Sequence, residues 1–171
     1  MIQKRKIEIE QLAMRILSQY RIMDNPGQHL QIILDGEQIQ LLGYDDWAVD
    51  ICGRFMYIGD DPVIFFNSKH TQAMQAFTIA HELGHYFLKH LENEEAEIIC
   101  LNRDFQRMDD SSDAKKEREV EANYFAACLL LPLNLIYPVF ETFMQSQRLT
   151  VILYVDKQQC NFVAYKRCIW A

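Results

Sequence analysis

The chain has 171 residues, half of them apolar, and a formal net charge of −7. That length suits one domain, or one domain with a small appendage, and the acidity argues against direct nucleic-acid binding because phosphate backbones repel it. No run of about 18 uncharged apolar residues occurs, which excludes a membrane-spanning helix. The start, MIQKRKIEIE, is charged and no apolar signal region follows it, so the expected location is the cytoplasm. Cys52, Cys100, Cys128, Cys160 and Cys168 are odd in number and form no C-x-x-C pair, the pattern of free thiols in a reducing compartment. The basic clusters Lys4-Arg5-Lys6 and Lys115-Lys116 read as solvated helix faces.

The first predicted element is a helix. Ile9, Leu12, Ala13, Ile16, Leu17 and Tyr20 recur at helical spacing through about residue 21, and Asn25-Pro26-Gly27 ends the segment. A short helix is expected over His29 to Leu34, closed by Asp35-Gly36, and a strand over Glu37 to Tyr44. Gly53 to Ile58 and Val63 to Phe66 are rich in β-formers and flank a Gly59-Asp60-Asp61-Pro62 turn, which predicts a hairpin. Asn67-Ser68 offers capping groups for a long helix from about Thr71 to Leu91, with Ala73, Ala76, Phe77, Ala80, Gly84, Phe87 and Leu88 as its buried stripe. Glu92 to Ser112 reads as an irregular connection. A further helix is expected from Asp113 to about Leu131, stopped by Pro132, with Ala122, Phe125, Ala126, Leu129 and Leu130 inward. Pro138 to Arg148 is expected to be helical, followed by strands over Leu149 to Val155 and Cys160 to Arg167 with a turn at Asp156 to Gln159. The pattern as a whole is α+β, a small sheet beside several helices.

The long central helix carries the chemistry. His81-Glu82-Leu83-Gly84-His85 is H-E-x-x-H, and residues four apart lie one turn above each other on one helix face. Both imidazoles can therefore reach one ion, whereas Glu82, about 100° round the helix, is placed to take a proton from a metal-bound water. Gly84, in a helix interior where glycine costs roughly 1 kcal/mol, signals that something packs close there. Catalytic zinc usually has three protein ligands. No histidine follows His90, so the third ligand is a carboxylate, a cysteine or an earlier histidine. The next helix offers Glu117, Glu119 and Glu121. Glu121, on the flank of the apolar stripe beside Ala122, is the favoured ligand. Glu117 and Glu119 are expected to be solvated. His90, five residues past His85, is expected to turn away from the site as an ordinary polar residue, and His29 and His70 are read in the same way.

F-T-I-A-H-E-L-G-H-Y, Phe77 to Tyr86, together with E-x-E-A-N-x-F-A-x-x-L-L-x-P, Glu119 to Pro132, resembles the ImmA/IrrE family of metallopeptidases. Gly53-Arg54-Phe55, Pro62-Val63-Ile64 and Asn67-Ser68 add to the likeness, which covers about residues 5 to 132. The resemblance implies a zincin-like, thermolysin-like core with one zinc ion. It implies His81, His85 and Glu121 as ligands and Glu82 as general base. It also implies a protein substrate, a helix-turn-helix repressor of a phage, mobile element or stress regulon. The tail departs from the family's pattern, so residues 1–132 are read as the peptidase core and 133–171 as a C-terminal extension. The rival expectation is a binding module that sequesters a regulator without cutting it. An intact Glu82 speaks against that, because binding alone needs no general base.

Overall fold

The computed structural model describes residues 1–48, 50–91, 97–101, 114–146, 151–156 and 161–166. Most of the connection expected over Glu92 to Ser112, and of the turn expected at Asp156 to Gln159, lies outside them. The chain divides into two compact units, Met1–Leu130 and Leu131–Ala171.

In the first unit, α1 (Gln3–Gln19) buries Ile9, Ala13, Ile16 and Leu17, the stripe its sequence predicts. A single 3-10 turn at Pro26–Gln28 leads into α2 (Leu30–Gly36), which buries Leu30, Ile33 and Leu34. Strand β1 (Gln40–Tyr44) begins later than expected because Gln38 turns the chain with a φ of 57°. Strands β2 (Ile51–Ile58) and β3 (Asp61–Asn67) form the predicted antiparallel hairpin. Gly59, first of the two turn residues, adopts a φ of 65°, which glycine accepts without a Cβ clash.

Helix α3 (Gln72–Phe87) follows. Its cap is Thr71, whose Oγ1 accepts the Met74 N–H at 3.3 Å, rather than Asn67 or Ser68. Asn67 is committed elsewhere: its buried amide donates to the Ile51 and Ala48 carbonyls and its Oδ1 accepts the Lys69 N–H. Strand β4 (Glu97–Leu101) corrects the irregular connection expected there. Five residues with acidic neighbours show little alternation in sequence. Pairing with β2, Ile98 opposite Phe55 and Cys100 opposite Gly53, is what orders them. The sheet order is β1-β3-β2-β4, with β1 parallel to β3 and the other pairs antiparallel. The fold is thus a mixed four-stranded sheet with helices, in the α+β class.

Helix α4 (Ala114–Leu130) packs on both α1 and α3. At Gly84 α4 packs tightly on α3: a Cβ there would lie 3.0 Å from Ala122 Cα and 3.1 Å from the Ala122 carbonyl oxygen. The close packing that Gly84 signals in the sequence is therefore met by Ala122 of α4, on the helix that also carries Glu119 and Glu121.

In the second unit, α5 (Leu133–Ser146) begins five residues before the expected Pro138 and continues through it. Thr142 Oγ1 donates to the Pro138 carbonyl at 2.9 Å. Strands β5 (Val151–Asp156) and β6 (Asn161–Lys166) pair antiparallel. Among the described residues no helix is long and apolar enough to cross a membrane.

Candidate metal centre

Every residue of α3 from Thr78 to His85 is buried. His81 and His85 sit one turn apart with their Nε2 atoms 3.0 Å from each other. Helix α4 supplies Glu119, whose Oε2 lies 3.2 Å from His81 Nε2 and 3.6 Å from His85 Nε2. One turn further along α4, Asn123 Oδ1 accepts a hydrogen bond from His81 Nδ1–H at 2.9 Å. Protonation at Nδ1 leaves the His81 Nε2 lone pair facing the site. Burial pushes His85 down to about 3, against the pull of Glu119, so its ring is neutral at physiological pH. Burial opposes the charge on Glu119, yet the two facing imidazoles hold its carboxyl well below the usual carboxylate range.

The three residues can hold a metal ion: one ligand atom from each of His81, His85 and Glu119 lies within 4.8 Å of the others. Two imidazoles and a carboxylate are suitable ligands for a divalent transition metal, and a cation relieves the repulsion among converging acceptors.

Glu82 is fully buried and, among the described residues, neither of its carboxylate oxygens has a hydrogen-bond partner. Burial first, then the negative charge of Glu119, push its carboxyl well above the usual range. A buried carboxyl without a partner is costly. Strand β2 passes close to it only because residue 53 is glycine: a Cβ there would lie 2.8 Å from Glu82 Oε1. Cys100 on β4 lies with His81 and Glu82 in a second cluster of possible ligands within 4.8 Å. Burial pushes the Cys100 thiol up.

Two expectations from sequence are corrected. Glu121 does not face the histidine pair. Its carboxylate accepts two hydrogen bonds from Arg5 of α1, at 2.8 Å from Nε and 2.7 Å from Nη2, and a longer one from His90 Nε2 at 3.3 Å. Glu119, expected to be solvated, is the buried residue that meets the imidazoles. Because α4 is covered by both α1 and α3, its apolar residues do not mark a single inward face. The sequence did hold the right signal: Glu119, Ala122, Asn123 and Ala126 fall at i, i+3, i+4 and i+7. Glu121 is about 200° round from Glu119 and faces the other neighbour.

His90 is the second correction. A continuing helix would carry it away, but α3 ends at Phe87. Lys89 takes a left-handed φ of 60°, and the Lys89 and His90 N–H groups return to the Tyr86 and His85 carbonyls. That C-terminal turn folds His90 back, buried, with its Nδ1 2.9 Å from His85 Nδ1.

The fold and the site together define an α+β protein with a candidate metal centre buried between two helices, bearing H-E-x-x-H on the first and a carboxylate on the second. The chain belongs to the ImmA/IrrE metallopeptidase family: the profile described as the IrrE N-terminal-like domain matches residues 32–160. No curated protein is significantly similar to it. A solved structure of a Mycobacterium tuberculosis transcriptional regulator is similar in fold, with a TM-score of 0.55 and 19% sequence identity over 79% of this chain and 39% of that one. This chain thus spans well under half of that protein's length.

Proposed function

We propose that the chain is a zinc-dependent endopeptidase that cleaves a helix-turn-helix transcriptional repressor. The observation that carries the reading is the pairing of two features. Two imidazoles and Glu119 converge within 4.8 Å, and the buried Glu82 beside them has no partner for either oxygen among the described residues. Membership of a metallopeptidase family supports the chemistry. The repressor as substrate rests on the sequence resemblance, and the likeness in fold to a protein described as a transcriptional regulator is in keeping with it.

His81, His85 and Glu119 would hold the ion. Bound zinc supplies a positive charge that lowers the pKa of water and polarises a peptide carbonyl. Glu82, as the carboxylate that a neighbouring cation would favour, would take the proton released by water as the oxygen attacks the carbonyl carbon. It then passes that proton to the departing amide nitrogen as the C–N bond breaks, leaving a carboxylic acid and an amine. The edges of the sheet are β1 and β4. Cys100 places β4 beside Glu82, so a substrate segment added as a strand to β4 would run past the general base.

The test compares wild type with Glu82→Gln for zinc content and for cleavage of a helix-turn-helix repressor, sought first among the proteins encoded beside it. Stoichiometric zinc in both, with cleavage only by wild type, is the expected result. Equal release of the repressor from its operator by both proteins, with the repressor uncut, would replace the peptidase with a sequestering module.

A further inference from the structure

The chain contains a run of polar groups that the peptide-cleaving machinery does not use. It starts at the surface of α1, crosses α4 and ends on the back of a candidate ligand. Arg5 binds Glu121 through two nitrogens, Glu121 Oε2 faces His90 Nε2 at 3.3 Å, and His90 Nδ1 faces His85 Nδ1 at 2.9 Å. Glu121 and His90 are buried, and the Arg118 guanidinium holds His90 in place by donating to its backbone carbonyl at 2.8 Å.

The direction of every proton in this run follows from its far end. A guanidinium only donates, so the Glu121 carboxylate accepts from it. The carboxylate also accepts from His90, which makes Nε2 the protonated nitrogen of that ring. In the neutral His90 ring Nδ1 is then an acceptor, which assigns the proton between the two rings to His85 Nδ1. His85 Nε2 is left with a bare lone pair aimed at His81 and Glu119. Asn123 imposes the same tautomer on His81 from the opposite side.

We propose that Arg5, Glu121 and His90 form a positioning relay that locks the tautomer and ring orientation of His85 for metal binding. On this account α1, which precedes the matched residues 32–160, is a working part of the metal centre rather than packing alone. The inference rests on the metal-centre reading and adds three residues to it, none of which touches the ion. Partners of this kind usually change metal affinity by about 10–100-fold.

The experiment uses the full chain and two readouts: zinc affinity by competition with a chromophoric chelator, and the His85 tautomer by long-range 1H–15N NMR of the metal-free protein. His90→Phe should weaken zinc binding by about 10–100-fold and convert His85 from the single Nδ1–H form to a mixture. His90→Gln, whose side-chain carbonyl can accept the same proton, should recover much of both. Arg5→Gln, at the half-exposed end of the run, probes the relay even if the buried variant folds poorly, and should weaken zinc binding in the same sense by a smaller factor. Unchanged zinc affinity in His90→Phe and Arg5→Gln, with His85 still a single Nδ1–H tautomer, would overturn the relay. The tautomer readout separates the two failures: a wild type that binds no zinc removes the metal centre, whereas the metal-free His85 tautomer and its dependence on His90 still decide the relay.

Discussion

Gly84→Ala links packing to chemistry. The new Cβ would lie 3.0 Å from Ala122 Cα, 3.1 Å from the Ala122 carbonyl oxygen and 3.2 Å from Phe125 Cδ1. Carbon atoms prefer about 3.5–4.0 Å, so the closest contact is short by roughly 0.5 Å. Two of the three neighbours are backbone atoms that no rotamer change can move. The helices must therefore part locally by several tenths of an ångström. Overpacking of this kind costs about 1–3 kcal/mol, offset by about 1 kcal/mol from alanine's better helix propensity. The expected net effect is a loss of about 0–2 kcal/mol in urea unfolding of the metal-free protein. The site should suffer more than the fold, because Glu119 sits on one helix and both histidines on the other. Metal–ligand distances tolerate only about 0.2 Å, so zinc affinity should fall by about tenfold or more. Chelator competition measures it. Wild-type zinc affinity in a folded Gly84→Ala protein would refute the claim that this contact sets the spacing of the ligands.

Three further outcomes are expected. Glu119→Gln should weaken zinc binding by more than the roughly 10–100-fold typical of residues behind a ligand, and by more than Glu121→Gln. The reverse order in a chelator competition would restore Glu121 as the ligand. Gly53→Ala, whose Cβ would meet Thr78 Cγ2 at 2.5 Å and Glu82 Oε1 at 2.8 Å, should lower cleavage by about tenfold or more while zinc stays bound; unchanged turnover would mean that Glu82 is free to move. Tyr20 donates to Glu37 at 2.6 Å, and burial together with that carboxylate pushes its hydroxyl up to about 12 from 10.0. The folded state thus holds this proton more tightly than the unfolded chain. The stabilisation is complete below about pH 10 and is lost as pH rises toward 12, a slope that Tyr20→Phe should reduce in denaturant titrations at alkaline pH.

Local rules made much of the molecule legible. The stripe expected on α3 is not the buried one, since Ala73 is exposed and every residue from Thr78 to His85 is buried, but the stripe of α1 and the β2–β3 hairpin do follow from helical period, β-former runs and a turn glycine. Each of these depends on residues within a few positions of one another. Strand β4 was hidden because its order comes from β2, more than 40 residues away in sequence. Helix α5 was started too late because Pro138 was read as a boundary, yet the helix runs through it.

The site divides along the same line. The sequence by itself placed His81, Glu82 and His85 on one helical turn, which fixes how those three side chains stand to each other. Only the tertiary structure decided between Glu119 and Glu121, two residues apart on one helix. The choice turns on which face of α4 meets α3 and which meets Arg5 of α1, and a helix covered on both sides carries no single apolar stripe to reveal it. His90 was decided in the same way, by a left-handed Lys89 that ends α3 and folds the next residue back onto His85.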